Sequence, residues 1–341
     1  MCARKLPVLF AVLGLALVAA QAALAGNGGI APPDSATTSG GAINDLYWIV
    51  IGITAAVFLV VEGALVWFLF RFRRRPGTAY DADGPQIHGN TRLELVWTAI
   101  PFLILVAIMV VTIVKVPSVE ARPSSGEDPI VVRVGGHQFY WEYSYENGVV
   151  QVDALRLPVG RPVELVLDAY DVIHSWWVPA LDGKRDTIPG RTNTLDFTPT
   201  KTGVFQGQCA ELCGVQHAVM RTTVRVVPAD EFDQWLASEQ QAQAGGTSDL
   251  GRETWEGACA KCHGLDGKGE YGPPIAGNST LADEKALKQL LTEGRNNPQV
   301  DGYMPAVATG WPEDDTQLEA LMVYIASNPD LAPAGAAQQG G

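Results

Sequence analysis

The alternation of hydrophobic and polar positions divides the 341-residue chain into stretches of different texture. Arg4 and Lys5 precede an apolar run from Leu6 to Ala20 that ends in Ala23-Leu24-Ala25, the small-x-small pattern recognised by signal peptidase. Residues 1–25 therefore read as a secretory signal peptide and 26–42 as a short extracytoplasmic segment. Two longer apolar runs follow. Leu46 to Phe70 carries one charge, Glu62, and Leu93 to Val116 is nearly as long. At about 1.5 Å per residue each can cross a hydrocarbon core of ~30 Å, so residues 43–117 are expected to form a transmembrane hairpin with helices at 46–70 and 93–116. The basic cluster Arg71-Phe72-Arg73-Arg74-Arg75-Pro76 between them belongs on the cytoplasmic side, which puts everything after Pro117 outside.

From Ile130 the period changes to short β-rich runs: Ile130 to Val134, Phe139 to Tyr145, Val163 to Leu167, Thr192 to Phe197 and Met220 to Val227. Proline, glycine and aspartate punctuate them, which predicts an antiparallel all-β sandwich or barrel over 128–228. Glu231 to Gln243 has a helical pattern, and Ala244-Gly245-Gly246-Thr247-Ser248 reads as a flexible linker, so 229–248 separates the sandwich from a second soluble domain. That domain, 249–333, is expected to be all-α, with helices at Leu281 to Gly294 and Asp315 to Ser327, followed by a tail at 334–341.

Charge narrows the classes. There are 24 basic and 37 acidic residues, a net charge of −13, which argues against a nucleic-acid binder. The stretch Asp249 to Asp330 holds 14 acidic and 6 basic residues, a surface that either attracts a basic upstream donor such as a soluble cytochrome or serves as a solvated face that keeps the domain soluble. Neither apolar run contains histidine or cysteine, so chemistry inside the bilayer belongs to another subunit. Glu62 and Glu94 each require a partner or water, because a carboxylate facing lipid is costly.

Two clusters carry candidate chemistry. Cys209, Cys213, His217 and Met220 follow the order C-x-x-x-C-x-x-x-H-x-x-M, a set of thiolate, imidazole and thioether ligands that suits copper; His174 is the natural second imidazole. Two thiolates can bridge two copper ions. A disulfide or a zinc site would use the cysteines and histidines but leave Met220 unexplained. Further on, Cys259-Ala260-Lys261-Cys262-His263 is the C-x-x-C-H motif of covalent c-type haem attachment. A thiol redox pair or half a zinc site are the other readings, but no second Cys/His cluster follows in the sequence to complete a zinc. Of Met304 and Met322, Met304 in Gly302-Tyr303-Met304-Pro305 is the candidate sixth ligand, since Met322 falls at core-like helical spacing.

The hairpin, Gly136-His137-Gln138-Phe139-Tyr140-Trp141, His174-Ser175-Trp176, Asp186-Thr187-Ile188-Pro189-Gly190-Arg191 and the copper loop together resemble subunit II of haem-copper cytochrome c oxidases over about Ile43 to Gln234. The resemblance implies a cupredoxin fold and a dinuclear copper A centre held by His174, Cys209, Cys213, His217, Met220 and the Glu211 carbonyl. It implies a magnesium ion on the Glu211 carboxylate at the contact with the catalytic subunit, and a role for Glu94 at the mouth of a proton pathway. The family commonly has tryptophan where this chain has Phe139, at the docking site of soluble cytochrome c. The C-terminal region resembles class I cytochrome c, with Cys259, Cys262, His263 and Met304 holding the haem.

The combined expectation is a caa-type oxidase subunit of the bacterial inner membrane, passing electrons from a tethered cytochrome through copper A to subunit I, with subunit III nearby. A copper A nitric oxide reductase subunit and a stand-alone membrane-tethered electron carrier are the alternatives.

Overall fold

The computed structural model describes residues 32–73, 86, 88–119, 128–297, 302–312 and 314–333. The expected signal peptide, most of the basic cluster's second half and the 334–341 tail lie outside them. The chain divides into two compact units, one made of residues 41–121 and the other of the flanking sequence.

The smaller unit is helical. Helix α1 spans Thr38–Arg71 and α2 spans Thr91–Val119. Both are long and apolar enough to cross a membrane. Each extends past the apolar run that predicted it, because the helix continues into polar residues that hydropathy alone does not count. At the start of α2, the Leu93 amide donates to Asn90 Oδ1 (3.2 Å) and the Asn90 amide donates to Glu94 Oε1 (3.1 Å). Glu94 thus caps its own helix, satisfying an amide that the first turn would leave open.

The larger unit contains the sandwich. One sheet runs β3 (Val150–Val152), β2 (Tyr140–Tyr145), β1 (Ile130–His137), β5 (Val163–Ala169), β8 (Asn193–Phe197). The other runs β4 (Ala154–Pro158), β10 (Arg221–Val227), β9 (Gly203–Cys209), β6 (His174–Trp177), β7 (Arg185–Thr187). Strict alternation of burial along β5 shows how a period of two drives one face into the core. The expectation of a purely antiparallel sandwich is corrected: β1 and β5 pair in parallel, as do β4 and β10. Sequence patterning fixes which face is buried but not which strand lies alongside.

Between the sheets, Trp141, Tyr143, Leu165, Leu167 and Trp176 are fully buried. Trp176 Nε1 donates to the Tyr143 hydroxyl (2.9 Å), which lies 2.6 Å from Thr222 Oγ1. Residues ahead of and at the start of α1 are tied to this sandwich. The Ala36 amide donates to the Ala180 carbonyl (2.7 Å), and Ser39 Oγ donates to the buried Asp182 carboxylate (2.6 Å).

Helix α3, Ala229–Ala244, leaves the sandwich after Pro228. The presumed linker beyond it is folded: the Gly245 amide donates to the Gln241 carbonyl and the Thr247 amide to that of Ala242. The C-terminal helices are α4 (Leu250–Thr254), a π-helical turn at Trp255–Cys259, α5 (Ala260–His263), α6 (Glu284–Glu293) and α7 (Thr316–Ser327). A short antiparallel pair, β11 (Arg295–Asn297) and β12 (Gly302–Met304), precedes α7.

These helices share a hydrophobic core with the sandwich. Tyr140, Val150 and Val152 pack with Leu250, Trp255, Cys259, Leu318 and Leu321. The Tyr140 hydroxyl donates to the Val307 carbonyl (2.6 Å) and accepts from Trp311 Nε1 (2.7 Å). Gly257 comes so close that an added Cβ would stand 2.3 Å from Val152 Cγ1. Apolar burial on both sides makes this a seated contact rather than one held by the chain connection alone.

Candidate functional site

The metal candidates are collected where two strands end. β9 closes at Cys209 and β10 opens at Arg221, and the Cys209 amide donates to the Met220 carbonyl (2.9 Å), pinching the intervening residues into a tight loop. On the neighbouring strand Trp176 pairs with Cys209, and the Ala210 amide donates to the Ser175 carbonyl (2.8 Å), which brings β6 and its first residue, His174, alongside. Gly136 makes room: a Cβ there would meet His174 Cδ2 and Thr187 Oγ1 at 2.9 Å.

The resulting distances are those of a convergent ligand set. Cys209 Sγ lies 3.9 Å from Cys213 Sγ and 4.0 Å from His174 Nδ1; Cys213 Sγ lies 3.5 Å from His217 Nδ1 and 3.8 Å from Met220 Sδ. The Glu211 carbonyl is 3.2 Å from Cys209 Sγ, while its carboxylate is exposed. His174, Cys209 and Cys213 together could hold a metal ion, and Met220 is wholly buried behind them. Soft sulfur and imidazole donors around one point match copper, and the Met220 thioether is now accounted for.

Electrostatics agree. The contact with Cys213, helped by His174 and the Glu211 backbone, holds Cys209 far below an ordinary thiol, while Cys213 is pushed up in return. One member of the pair is thus ready to bind as thiolate. His174 Nε2 is 2.7 Å from Asp171 Oδ1. Burial alone would lower the His174 pKa, but the Asp171 hydrogen bond and Cys209 outweigh it and raise it. Asp171 fixes the ring with Nδ1 turned toward the sulfurs, the usual arrangement behind a metal-binding histidine. Sequence reasoning missed Asp171, whose signal was an acid three residues before His174. It also missed Gln138, whose Nε2 donates to the Cys213 carbonyl (2.6 Å).

The second cluster sits on the π-helical turn and α5. Cys259 and His263 are buried and Cys262 is partly so. Burial pushes the Cys259 thiol up to about 12 and raises Cys262 as well. His263 Nδ1 lies 2.7 Å from the Pro273 carbonyl, an acceptor that leaves Nε2 as the free ligand atom. Met304 ends β12, and both it and Met322 of α7 pack partly buried against the domain core.

Glu62 lies on α1 and Glu94 in the first turn of α2.

The profile described as cytochrome C oxidase subunit II, transmembrane domain, matches residues 25–114, and that described as cytochrome C oxidase subunit II, periplasmic domain, matches 148–227. A third, cytochrome C oxidase, cbb3-type, subunit III, matches 246–325. The cytochrome c oxidase subunit 2 of Alkalihalophilus pseudofirmus is 36% identical over 293 residues, covering 81% of this chain and 84% of that protein. Its counterpart in Thermostichus vulcanus is 33% identical, covering 61% and 78%. Among solved structures, the periplasmic domain of subunit II of cytochrome oxidase of Bradyrhizobium japonicum is 32% identical, covering 34% of this chain and 96% of that one, with a TM-score of 0.33.

Proposed function

Because this chain belongs to the cytochrome c oxidase subunit 2 family, we propose that it receives electrons on a covalently bound haem c and delivers them through a dinuclear copper A centre. The recipient is the haem-bearing subunit I, where oxygen is reduced to water with proton translocation. The observation that carries this reading is the convergence of Cys209, Cys213, His217 and Met220 of one loop with His174 of β6, with the C-x-x-C-H turn packed on the same sandwich.

When bound, copper and haem supply centres that exchange single electrons. The chain's own residues hold and insulate them. Cys209 and Cys213 would supply two thiolates to copper, His174 and His217 imidazoles, and Met220 and the Glu211 carbonyl the remaining ligands. Asp171 keeps His174 in one tautomer. Trp141, in edge contact with the His174 ring at 6.0 Å, walls the site from solvent. Cys259 and Cys262 would hold the haem through thioether links, and His263 through Nε2 and Met304 through its sulfur would ligate the iron.

The chain is a membrane-anchored oxidase subunit with a periplasmic domain and works in a complex with other oxidase subunits. More finely, it is placed in a bacterial inner membrane beside subunits I and III. The exposed Glu211 carboxylate is available for a magnesium ion shared with subunit I. Glu94, at the mouth of α2, stands at a proton pathway. A basic soluble cytochrome is the fitting upstream donor for the acidic haem domain. The nitric oxide reductase alternative is not favoured by relatives that are named cytochrome c oxidases.

The test is oxygen and, separately, nitric oxide consumption by the native complex captured through a C-terminal tag and supplied with a chemical reductant. Oxygen uptake that Cys213→Ser abolishes is the expected result. Nitric oxide uptake alone, or uptake of neither by a metal-loaded complex, overturns it.

A further inference from the structure

Covalent haem attachment uses Cys259, Cys262 and His263, which leaves Lys261, between the two cysteines, free for another task. Its side chain does not point to solvent. The ammonium forms an ion pair with Asp153 and donates to the Phe139 carbonyl (2.8 Å), with side-chain exposures of 17% for the lysine and 24% for the acid. Asp153 is itself held: its Oδ1 accepts from the Trp141 amide (2.8 Å), and its own amide donates to the Trp141 carbonyl (2.8 Å). A charge pair this sheltered is stable only while both members stay in place.

The main chain of the same residue faces the copper loop. The Lys261 carbonyl accepts from Gln216 Nε2 (3.2 Å), and Gln216 directly precedes the ligand His217. On the other side, Phe139 is bonded to Gln138, whose amide reaches the carbonyl of the ligand Cys213 (2.6 Å). Two bonded routes thus leave one residue and arrive at two copper ligands, with no hydrogen-bonded step longer than 3.2 Å.

We propose that Lys261 is a positioning residue for electron transfer, clamping the haem-attaching turn onto the copper loop through Asp153 and Phe139 and joining it to His217 through Gln216. The proposal rests on the functional reading above. The transfer it serves moves one electron from the reduced haem to the oxidised copper pair; no bond forms or breaks, and no proton leaves Lys261. Electronic coupling falls steeply across empty space and less steeply along bonds. A clamp that keeps these two hydrogen bonds made therefore sets the rate, and the seated haem domain replaces a diffusive search.

The intact oxidase complex carrying Lys261→Met, Lys261→Arg or Gln216→Leu provides the test. Two quantities are read: hydrogen exchange at the Trp141 and Asp153 amides, and the rate of internal transfer after flash reduction of the haem. Covalent haem and copper content are measured in each preparation. In Lys261→Met, exchange at both amides is expected to rise by about tenfold, equivalent to about 1.4 kcal/mol of lost local protection. Transfer slows with it, and Lys261→Arg restores both. Gln216→Leu, which leaves the ion pair alone, slows transfer without changing that exchange. Unchanged exchange or an unchanged rate in Lys261→Met with haem and copper retained overturns the proposal, as does an unchanged rate in Gln216→Leu should Lys261→Met not assemble. Absence of covalent haem in the unaltered chain overturns the functional reading instead.

Discussion

Substituting Glu142 by glutamine removes a carboxyl group that is sealed between β2 and the start of α7. Glu142 is 3% exposed, and its Oε2 has no hydrogen-bond partner. Burial raises its pKa from 4.5 to about 8, with Ser144 and Gln317 pulling only partly the other way. A carboxyl whose folded value lies above its unfolded value binds more protons in the native state. Stability is then complete below the unfolded value, declines as pH rises toward 8, and levels off beyond it. Converted at about 1.4 kcal/mol per pH unit, the full penalty of the ionised form is about 5 kcal/mol. Local opening of α7 hydrates the carboxylate first, which limits the observed loss to about 2–3 kcal/mol. Denaturant unfolding of the purified chain in detergent, repeated between about pH 5 and 9, measures the slope. Glu253, raised to about 7 by burial, adds a decline of the same sign that remains in the variant. The decisive quantity is therefore the difference between the two slopes. The unaltered chain should lose the additional 2–3 kcal/mol and Glu142→Gln should not; parallel curves would refute the assignment of Glu142 as a buried neutral acid.

Asp171→Asn leaves the fold intact but removes the charge behind His174, so copper affinity in chelator competition should fall by about 10–100-fold. Met304→Leu should abolish the sulfur-to-iron absorption of the oxidised haem and lower its potential, whereas Met322→Leu should change neither; equal effects of the two would reject Met304 as the ligand.

What the sequence disclosed and what it concealed divide along chain distance. Cys209, Cys213, His217 and Met220 fall within twelve residues, so the spacing alone grouped them as candidate ligands, and the structure brings His174 to the two cysteines with His217 and Met220 beside Cys213. The C-x-x-C-H turn was equally local. The membrane runs were legible from length, though not their polar first turns. Hidden features depend on residues far apart. The parallel pairing of β1 with β5, the Gln138 contact to Cys213 and the Asp153 to Lys261 pair cannot be read from local periodicity. Val150 and Val152 fall outside the β-rich runs visible in the sequence, yet they pack on the C-terminal helices. The glycine-rich stretch after Ala244 suggested freedom by composition, while hydrogen bonds back to Gln241 and Ala242 remove it.

Strand β3 is the outermost strand of its sheet, and its neighbour on the far side is not a strand. The Val150 amide donates to Gln243 Oε1 (3.0 Å), and the Val150 carbonyl accepts from Gln243 Nε2 (2.7 Å). The Val152 backbone bonds in turn to Glu253. One side-chain amide therefore imitates a peptide group, and a carboxylate occupies the next open rung. An outermost strand is ordinarily a template on which a foreign extended segment can add. Here that template is already filled from within, which protects a protein concentrated at a membrane surface from sticking to its own copies edge to edge.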